Sequence, residues 1–523
     1  MEKLLSRLKK NSSLLPLKSI RQGVERECLR INSEAEIASS DHPKGLGSKL
    51  THPFITTDYS ENLLEYITVV YESEEELLDE LLKMHSFTYK KLEHNESIWP
   101  MSMPAVVPID ESLIKVANYG SSNIGKLKEL YRVGLGYRYG KSMQSIAGVH
   151  YNFSLDDKFW KSYGEIQQLE APLAEIKNEG YFHLIRNYRR YSSLLVYLFG
   201  ATPLVDESFL NNKKHKLEKL GRKTWGKKKA TSLRMGGLGY TSSAQDEISI
   251  CYNALETYIE TLESARLKSY KKYEEIGVKD EKGFKQLNTN LLQIDNEFYS
   301  TIRPKNIART GESALGALFK RGIEYIEVRL LDVNPFNPVG IDKQTIRFLH
   351  AFLLFCLFED SPLILNDECV EIDKNFSLAV NEGLDENLFL FRNAKKESKK
   401  EFFGPIIKGI TEVATLLDSA YGVHHYSEAV SLEALKVNNI SLLPSYKVMS
   451  LVDEKKSLVE SMHEISLSYK TEGLTMETDP EWDEVAERSL SDQKALECDD
   501  EKFESFLERY FTEIKINFQD GNA

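Results

Sequence analysis

The chain has 523 residues, 41% hydrophobic and 28% charged, a composition that excludes disordered, collagen-like and membrane-embedded classes and leaves a soluble enzyme or a large binding protein. Its 67 lysines and arginines against 80 aspartates and glutamates give a net charge of −13, which argues against a surface dedicated to a nucleic-acid backbone. The cysteines Cys28, Cys251, Cys356, Cys369 and Cys498 form no CxxC pair or zinc-ligand spacing, so separate reduced thiols in a cytoplasmic protein are expected.

The first twenty residues are basic, lack the apolar run and cleavage site of a secretory signal, and read as a short surface helix. Residues 24–31, VERECLRI, predict a strand with Glu25 and Glu27 on one face and Arg26 and Arg30 on the other; a charged edge strand with cross-strand ion pairs explains the pattern equally well. In residues 54–70, FITTDYSENLLEYITVV, Asp58 ends a β-branched run and Glu65 interrupts an apolar strand. A carboxylate among such neighbours must be paired, protonated or bound to a cation.

Residues 120–127, GSSNIGKL, approach a P-loop, but Leu127 replaces the magnesium-binding Ser or Thr, and no apolar strand precedes them, so the match is discarded. Residues 143–155, MQSIAGVHYNFSL, alternate almost perfectly: Val149, Tyr151, Phe153 and Leu155 form an apolar face, and Gln144, Ile146, Gly148, His150 and Asn152 form the other. A lone histidine there is more often a hydrogen-bonded core residue than a ligand. Residues 213–229 carry nine lysines and arginines and read as a solvated loop.

Residues 293–299, QIDNEFY, alternate Gln293, Asp295, Glu297 and Tyr299 with apolar or amide side chains and predict a further strand. Residues 323–331, IEYIEVRLL, place Tyr325, Glu327 and Arg329 on one face. From about residue 341 the pattern turns helical, with core-facing periodicity in 344–358, 408–420 and 455–469. The longest apolar run, 351–358, is far below the roughly 20 residues of a membrane span. A catalytic core over 1–360 and a mainly helical part over 361–523, with a soft boundary, is the expected division.

Several strands with acids on one face and apolar residues on the other imply an antiparallel sheet packed on one side and open to a polar cavity on the other. Clustered carboxylates repel unless cations hold them, and magnesium prefers hard oxygen ligands together with phosphate oxygens. Metal–nucleotide chemistry follows from the residues alone.

The chain also resembles a known family. The segments RQGVERECLRIN, ITTDYSENLLEYIT, WPMSMP, YGSSNIGKLKELYR, SIAGVHYNFSL, YFHLIRNYRRY, YLFGATP, TSLRMGGLGY, QIDNEFYSTIRPK and GIEYIEVRLLDVNPF cover residues 20–340 in the order found in glutamate–cysteine ligases of the gamma-proteobacterial type, distant relatives of glutamine synthetase. The resemblance implies an α+β fold with a glutamine-synthetase-like antiparallel sheet funnel, surrounding helices and a mainly helical C-terminal part. It implies ATP-dependent ligation of the glutamate γ-carboxylate to the cysteine α-amine through a γ-glutamyl phosphate, the first step of glutathione biosynthesis.

By the same resemblance, Glu25, Glu27, Asp58, Glu65, His150 and Glu327 would surround magnesium or manganese ions and the phosphates of ATP, and Arg329 would meet the phosphoryl group in flight. Tyr131, Leu135, Gln144, Ile146, Arg234, Tyr240 and Tyr299 would bind cysteine, with Arg234 on its carboxylate. The implied partners are L-glutamate, L-cysteine and ATP, with glutathione a candidate feedback inhibitor; a monomer without nucleic-acid or membrane partners is expected. A related carboxylate–amine ligase with another amine acceptor would keep the acidic strands and change the pocket, where Tyr240 and Tyr299 discriminate.

Overall fold

The centre of the molecule is a seven-stranded antiparallel sheet in the order Ile302–Lys305, Tyr325–Leu331, Val149–Leu155, Ile20–Ile31, Leu63–Ile67 and Ile55–Thr57, with Ser97–Ile98 paired to the end of Ile20–Ile31. The computed structural model describes residues 4–11, 15–211, 213–239, 244–248, 250–309, 312–498, 500–516 and 518. Each sheet strand follows a period-two pattern, so one face is apolar and the other carries the acids. Register then decides which acids meet: Glu25 lies opposite His150, Glu27 opposite Glu65, and Glu327 opposite Asn152.

The apolar face, with Val24, Cys28, Tyr151, Phe153, Ile326 and Val328 all buried, packs under the helices Leu173–Phe199 and Lys343–Phe358. The second of these starts where the Asp342 side chain accepts from the Thr345 amide, and is buried almost continuously from Phe348 to Phe358. Its His350 Nε2 lies 2.7 Å from the Tyr151 hydroxyl, a polar tie between helix and sheet. Arg26 and Arg30 also point away from the acids: Arg30 forms a fully buried ion pair with Glu96 at 2.7 Å and Arg26 donates to the Val339 carbonyl. Among the described residues no helix is long and apolar enough to cross a membrane.

The C-terminal part is mainly helical as expected, but it also holds the hairpin Phe389–Arg392 with Lys395–Ser398. Four other expectations need correction. The N-terminal helix Leu4–Lys10 buries Leu4, Leu5 and Leu8, so it is docked and not a surface helix. The basic stretch 213–229 is only partly a loop: Glu218–Gly221 and Thr224–Gly226 form a hairpin paired to Leu204–Asp206, with Gly221, Thr224 and Gly226 inward and most of the basic side chains in solvent.

Residues 293–299 are not a strand. Only the short turn Asp295–Glu297 is regular, because side chains take the backbone groups a ladder would use: Glu297 accepts from the Gln293 amide, and Gln245 accepts from the Tyr299 amide and donates to the Glu297 carbonyl. The strand foreseen over 143–155 begins at Val149, after the turn Met143–Ser145, which takes Gln144 and Ile146 off the sheet.

Candidate active site

The acid-bearing face of the sheet forms the floor of a cavity of about 380 Å³. Glu25 and Glu27 reach it from the central strand, His150 and Glu327 from the strands to one side, and Glu65 and Asp58 from the other side. All six residues expected around metal and phosphates are thus brought together, and Arg329 joins them.

His150 is the hub. Its Nδ1 lies 3.4 Å from Glu25 and 3.6 Å from Glu327, and its Nε2 lies 3.6 Å from Glu27. Arg329 sits where the register of its strand shifts, so that Arg329 and Leu330 together face the position of His150. Such a bulge re-aims side chains, and here the Arg329 guanidinium lies 2.6 Å from Glu327 and 3.3 Å from His150. One ligand atom each from Glu25, His150 and Glu327 lie within 4.8 Å of one another. Burial and the Arg329 charge push the imidazole down to about 4, so it is neutral at physiological pH with a lone pair free to bind a cation. Buried oxygens of Glu27 and Glu327 also lack a hydrogen-bond partner among the described residues. Hard oxygen donors, a neutral imidazole and unsatisfied buried carboxylate oxygens fit a divalent cation.

The carboxylates divide into two groups. Burial would raise Glu25 and Glu327, but for Glu327 the guanidiniums of Arg329 and Arg303, the Lys305 ammonium and His150 outweigh it and hold the group well below its ordinary range. Glu25 is lowered too: burial and the Glu327 charge raise it, and the hydrogen bond from His150 contributes most to outweighing them. Glu27 is pushed up to about 8 by burial and the Asp58 charge, Asp58 is raised by burial and the Glu25 charge, and Glu65 by burial and the charges of Asp58, Glu25 and Glu27.

One wall is the helix Asn123–Tyr139, capped at its start by the Ser122 side chain. Ile124, Leu127, Lys128, Tyr131, Arg132 and Leu135 are spaced three and four apart and all line the cavity. Tyr131 and Leu135 were expected there; Lys128 and Arg132 were not. Arg303 and Lys305, two apart on the edge strand, were also missed, although the alternation that exposed Glu327 and Arg329 applies to them equally. Tyr510, on the C-terminal helix Phe503–Glu513, completes the lining and carries no signal in the sequence.

Of the other residues expected to bind cysteine, Gln144 and Tyr299 line the cavity, with the Gln144 amide 3.4 Å from the Tyr299 hydroxyl. Ile146 is fully buried and does not line it. Arg234 is 2% exposed and donates to the carbonyls of Arg329 (2.9 Å) and Leu331 (3.3 Å), beside Asp332. Gly148 is needed against it, since a Cβ there would stand 2.2 Å from the guanidinium. Tyr240 lies outside the described residues.

The sequence model of the family described as Glutamate-cysteine ligase matches residues 5–379. The glutamate–cysteine ligase of Hahella chejuensis is 46% identical over 98% of this chain and 100% of its own length. The crystal structure of the glutamate–cysteine ligase of Francisella tularensis in complex with AMP superposes with a TM-score of 0.89 at 34% identity, covering 95% of this chain and 98% of that one. A bifunctional glutathione synthetase from Pasteurella multocida shares the fold, with a TM-score of 0.72 at 23% identity over 93% of this chain and 58% of its own. The chain belongs to the glutamate–cysteine ligase family, whose reaction is the ATP-dependent formation of γ-glutamylcysteine, the first step of glutathione biosynthesis.

Proposed function

We propose that the cavity over the acidic face of the sheet joins the γ-carboxylate of L-glutamate to the α-amine of L-cysteine through a γ-glutamyl phosphate. The observation that carries this is the Glu25–His150–Glu327 cluster with Arg329 poised above it. A carboxylate is a poor electrophile, so a γ-carboxylate oxygen first attacks the γ-phosphorus of ATP, and the bond to the leaving ADP oxygen breaks. Arg329 donates to the phosphoryl oxygens as charge moves, and Arg303 and Lys305 on the edge strand face the polyphosphate. The cysteine amine then attacks the acyl carbon, phosphate leaves, and the amine loses a proton.

Glu25, His150 and Glu327 would hold a divalent cation, magnesium or manganese, with Glu27, Asp58 and Glu65 available to a further ion; bound there, it supplies charge neutralisation between carboxylates and phosphates. AMP in the Francisella relative supports a nucleotide here. Tyr131, Leu135, Gln144 and Tyr299 surround the cysteine side chain, whose polarisable thiol suits aromatic neighbours. Arg234 takes the cysteine carboxylate, and Ile146 and Tyr240 complete the pocket. The core over residues 1–360 carries the chemistry, and the helical remainder braces it. The reading further includes a cytoplasmic monomer open to feedback by glutathione.

The test is phosphate release with ATP, magnesium and glutamate, and with cysteine, 2-aminobutyrate, glycine or no acceptor, with the product weighed by mass spectrometry. Cysteine-dependent release of γ-glutamylcysteine is expected. Release with glycine but not cysteine would transfer the assignment to a related ligase.

A further inference from the structure

The cavity holds two pairs of cations at opposite edges of the sheet, and only one pair is matched by carboxylates. Arg303 and Lys305, on the edge strand next to Glu327, lie 4.0 and 3.8 Å from its carboxylate. At the opposite edge, Arg132 donates to the backbone carbonyls of Thr57, Asp58 and Lys128 and stacks over the Tyr119 ring at 4.6 Å. Neither Arg132 nor Lys128 has a carboxylate within ion-pair distance among the described residues. An arginine has five N–H donors and a lysine three. Three of Arg132's are used, which leaves two there; Lys128 lines the cavity and its ammonium, 5.6 Å from the centre of the Tyr119 ring, donates no hydrogen bond among the described residues.

Two cations one helical turn apart in a half-buried cavity repel each other, and burial together with Arg132 already depresses the Lys128 ammonium to about 8. The arrangement is relieved by an anion. ATP cannot supply it while its polyphosphate lies along the Glu25–His150–Glu327 cluster and the Arg303/Lys305 edge. The acceptor cannot use it either, because its amine has to be delivered unprotonated, and the flank beside Arg132 is rich in acid: Asp58 and Glu65 both feel the Arg132 charge. A recess with both signs suits a zwitterionic head group that does not react.

We infer that Arg132 and Lys128 bind the α-carboxylate of the donor, L-glutamate, so that its γ-carboxylate extends along the acidic row to Arg329. This rests on the ligase reading above and adds donor-binding residues to it. Arg132 contributes a planar, two-donor grip on a carboxylate and Lys128 a mobile point charge.

The experiment is steady-state kinetics on the full-length chain carrying Arg132→Ala, Arg132→Lys or Lys128→Ala, with each substrate varied in turn and thermal melts run in parallel. Arg132→Ala is expected to raise the KM for glutamate at least about tenfold and to leave the KM values for ATP and cysteine within about twofold. Arg132→Lys should recover part of the loss, and Lys128→Ala should act in the same direction, less strongly. 4-Aminobutyrate, which is glutamate without its α-carboxylate, serves as the control donor: the preference for glutamate over it should shrink in Arg132→Ala by the same factor. A rise in the KM for ATP or cysteine instead, or an undiminished preference for glutamate, overturns the assignment. If Arg132→Ala does not fold, Lys128→Ala decides, since that side chain makes no hydrogen bond among the described residues. A wild-type chain with no glutamate- and cysteine-dependent turnover would instead overturn the ligase reading itself.

Discussion

At one end of the acidic row Glu327 lies within 4.0 Å of Arg303, Lys305 and Arg329, and these cations overcome the burial that would otherwise protonate it. Toward the other end Glu65 stands directly opposite Glu27 on the neighbouring strand, near Asp58, with one guanidinium in range. Like charges opposite each other in a sheet are unfavourable, and burial adds to that, so these groups are raised. One end is charged and compensated before any ligand arrives; at the other, burial and repulsion favour the protonated carboxyl, and a cation favours the ionised one. The difference teaches that carboxylates on one face of one sheet are not interchangeable.

The largest effect tests the compensated end. Arg329→Ala should lower kcat by about 10³–10⁵-fold, the range for an arginine that stabilises a transferring phosphoryl group, with folding retained by circular dichroism. A loss of less than tenfold would remove Arg329 from the chemistry. Next comes stability of the metal-free protein. Glu327→Gln leaves three buried or half-buried cations without their counter-charge and should cost about 3–5 kcal/mol in urea unfolding. Glu65→Gln replaces a carboxyl that burial and its acidic neighbours hold well above its ordinary range, and should leave stability unchanged or higher. Equal destabilisation by both would erase the distinction between the two ends.

The cysteine pocket gives a smaller effect. A cavity lined by Tyr131, Leu135, Gln144 and Tyr299 separates a thiol from a methyl by only about 1–3 kcal/mol, so 2-aminobutyrate should be used within roughly 200-fold of cysteine in kcat/KM. Discrimination above about ten-thousandfold would mean that contacts beyond this pocket read the sulfur.

The acids of the row were legible because strand alternation is local. Glu25, Glu27, His150 and Glu327 each sit where period two places them, and an acid inside the apolar run 63–67 had to be paired, protonated or bound to a cation. Lys128 and Arg132 share a helical stripe with Tyr131, but in the sequence they are two lysine- and arginine-type residues among 67, and only tertiary packing turns that stripe inward. Tyr510 is further from reach, since nothing local ties a helix at 503–513 to a sheet that ends at residue 331. The failure at residues 293–299 has the opposite cause: the alternation is present, but the Glu297 and Gln245 side chains take the backbone amides of Gln293 and Tyr299, so no ladder forms.

The smallest effect is the dependence of stability on pH, and it isolates the repelled end. Glu27 is raised from 4.5 in the unfolded chain to about 8 by burial and Asp58, so at pH 7 the native state holds a proton that the unfolded state has released. A raised carboxyl contributes stability that is fully present below the unfolded value and is lost as pH rises toward the folded one. Below about 6.5 the buried histidines obscure this, because His150 at about 4 and His350 at about 3 stay neutral in the native state but charge on unfolding, which favours unfolding as pH falls. Between pH 7 and 8 they are mostly neutral in both states, because the unfolded imidazoles titrate at about 6.5. In that window chelator-treated protein should lose up to about 1.4 kcal/mol per pH unit, Glu27→Gln should remove most of the slope, and magnesium should flatten it in the wild type by holding Glu27 ionised. A wild-type profile already flat without metal would show Glu27 ionised in the empty cavity, and the two ends of the row would then differ in neighbours but not in charge.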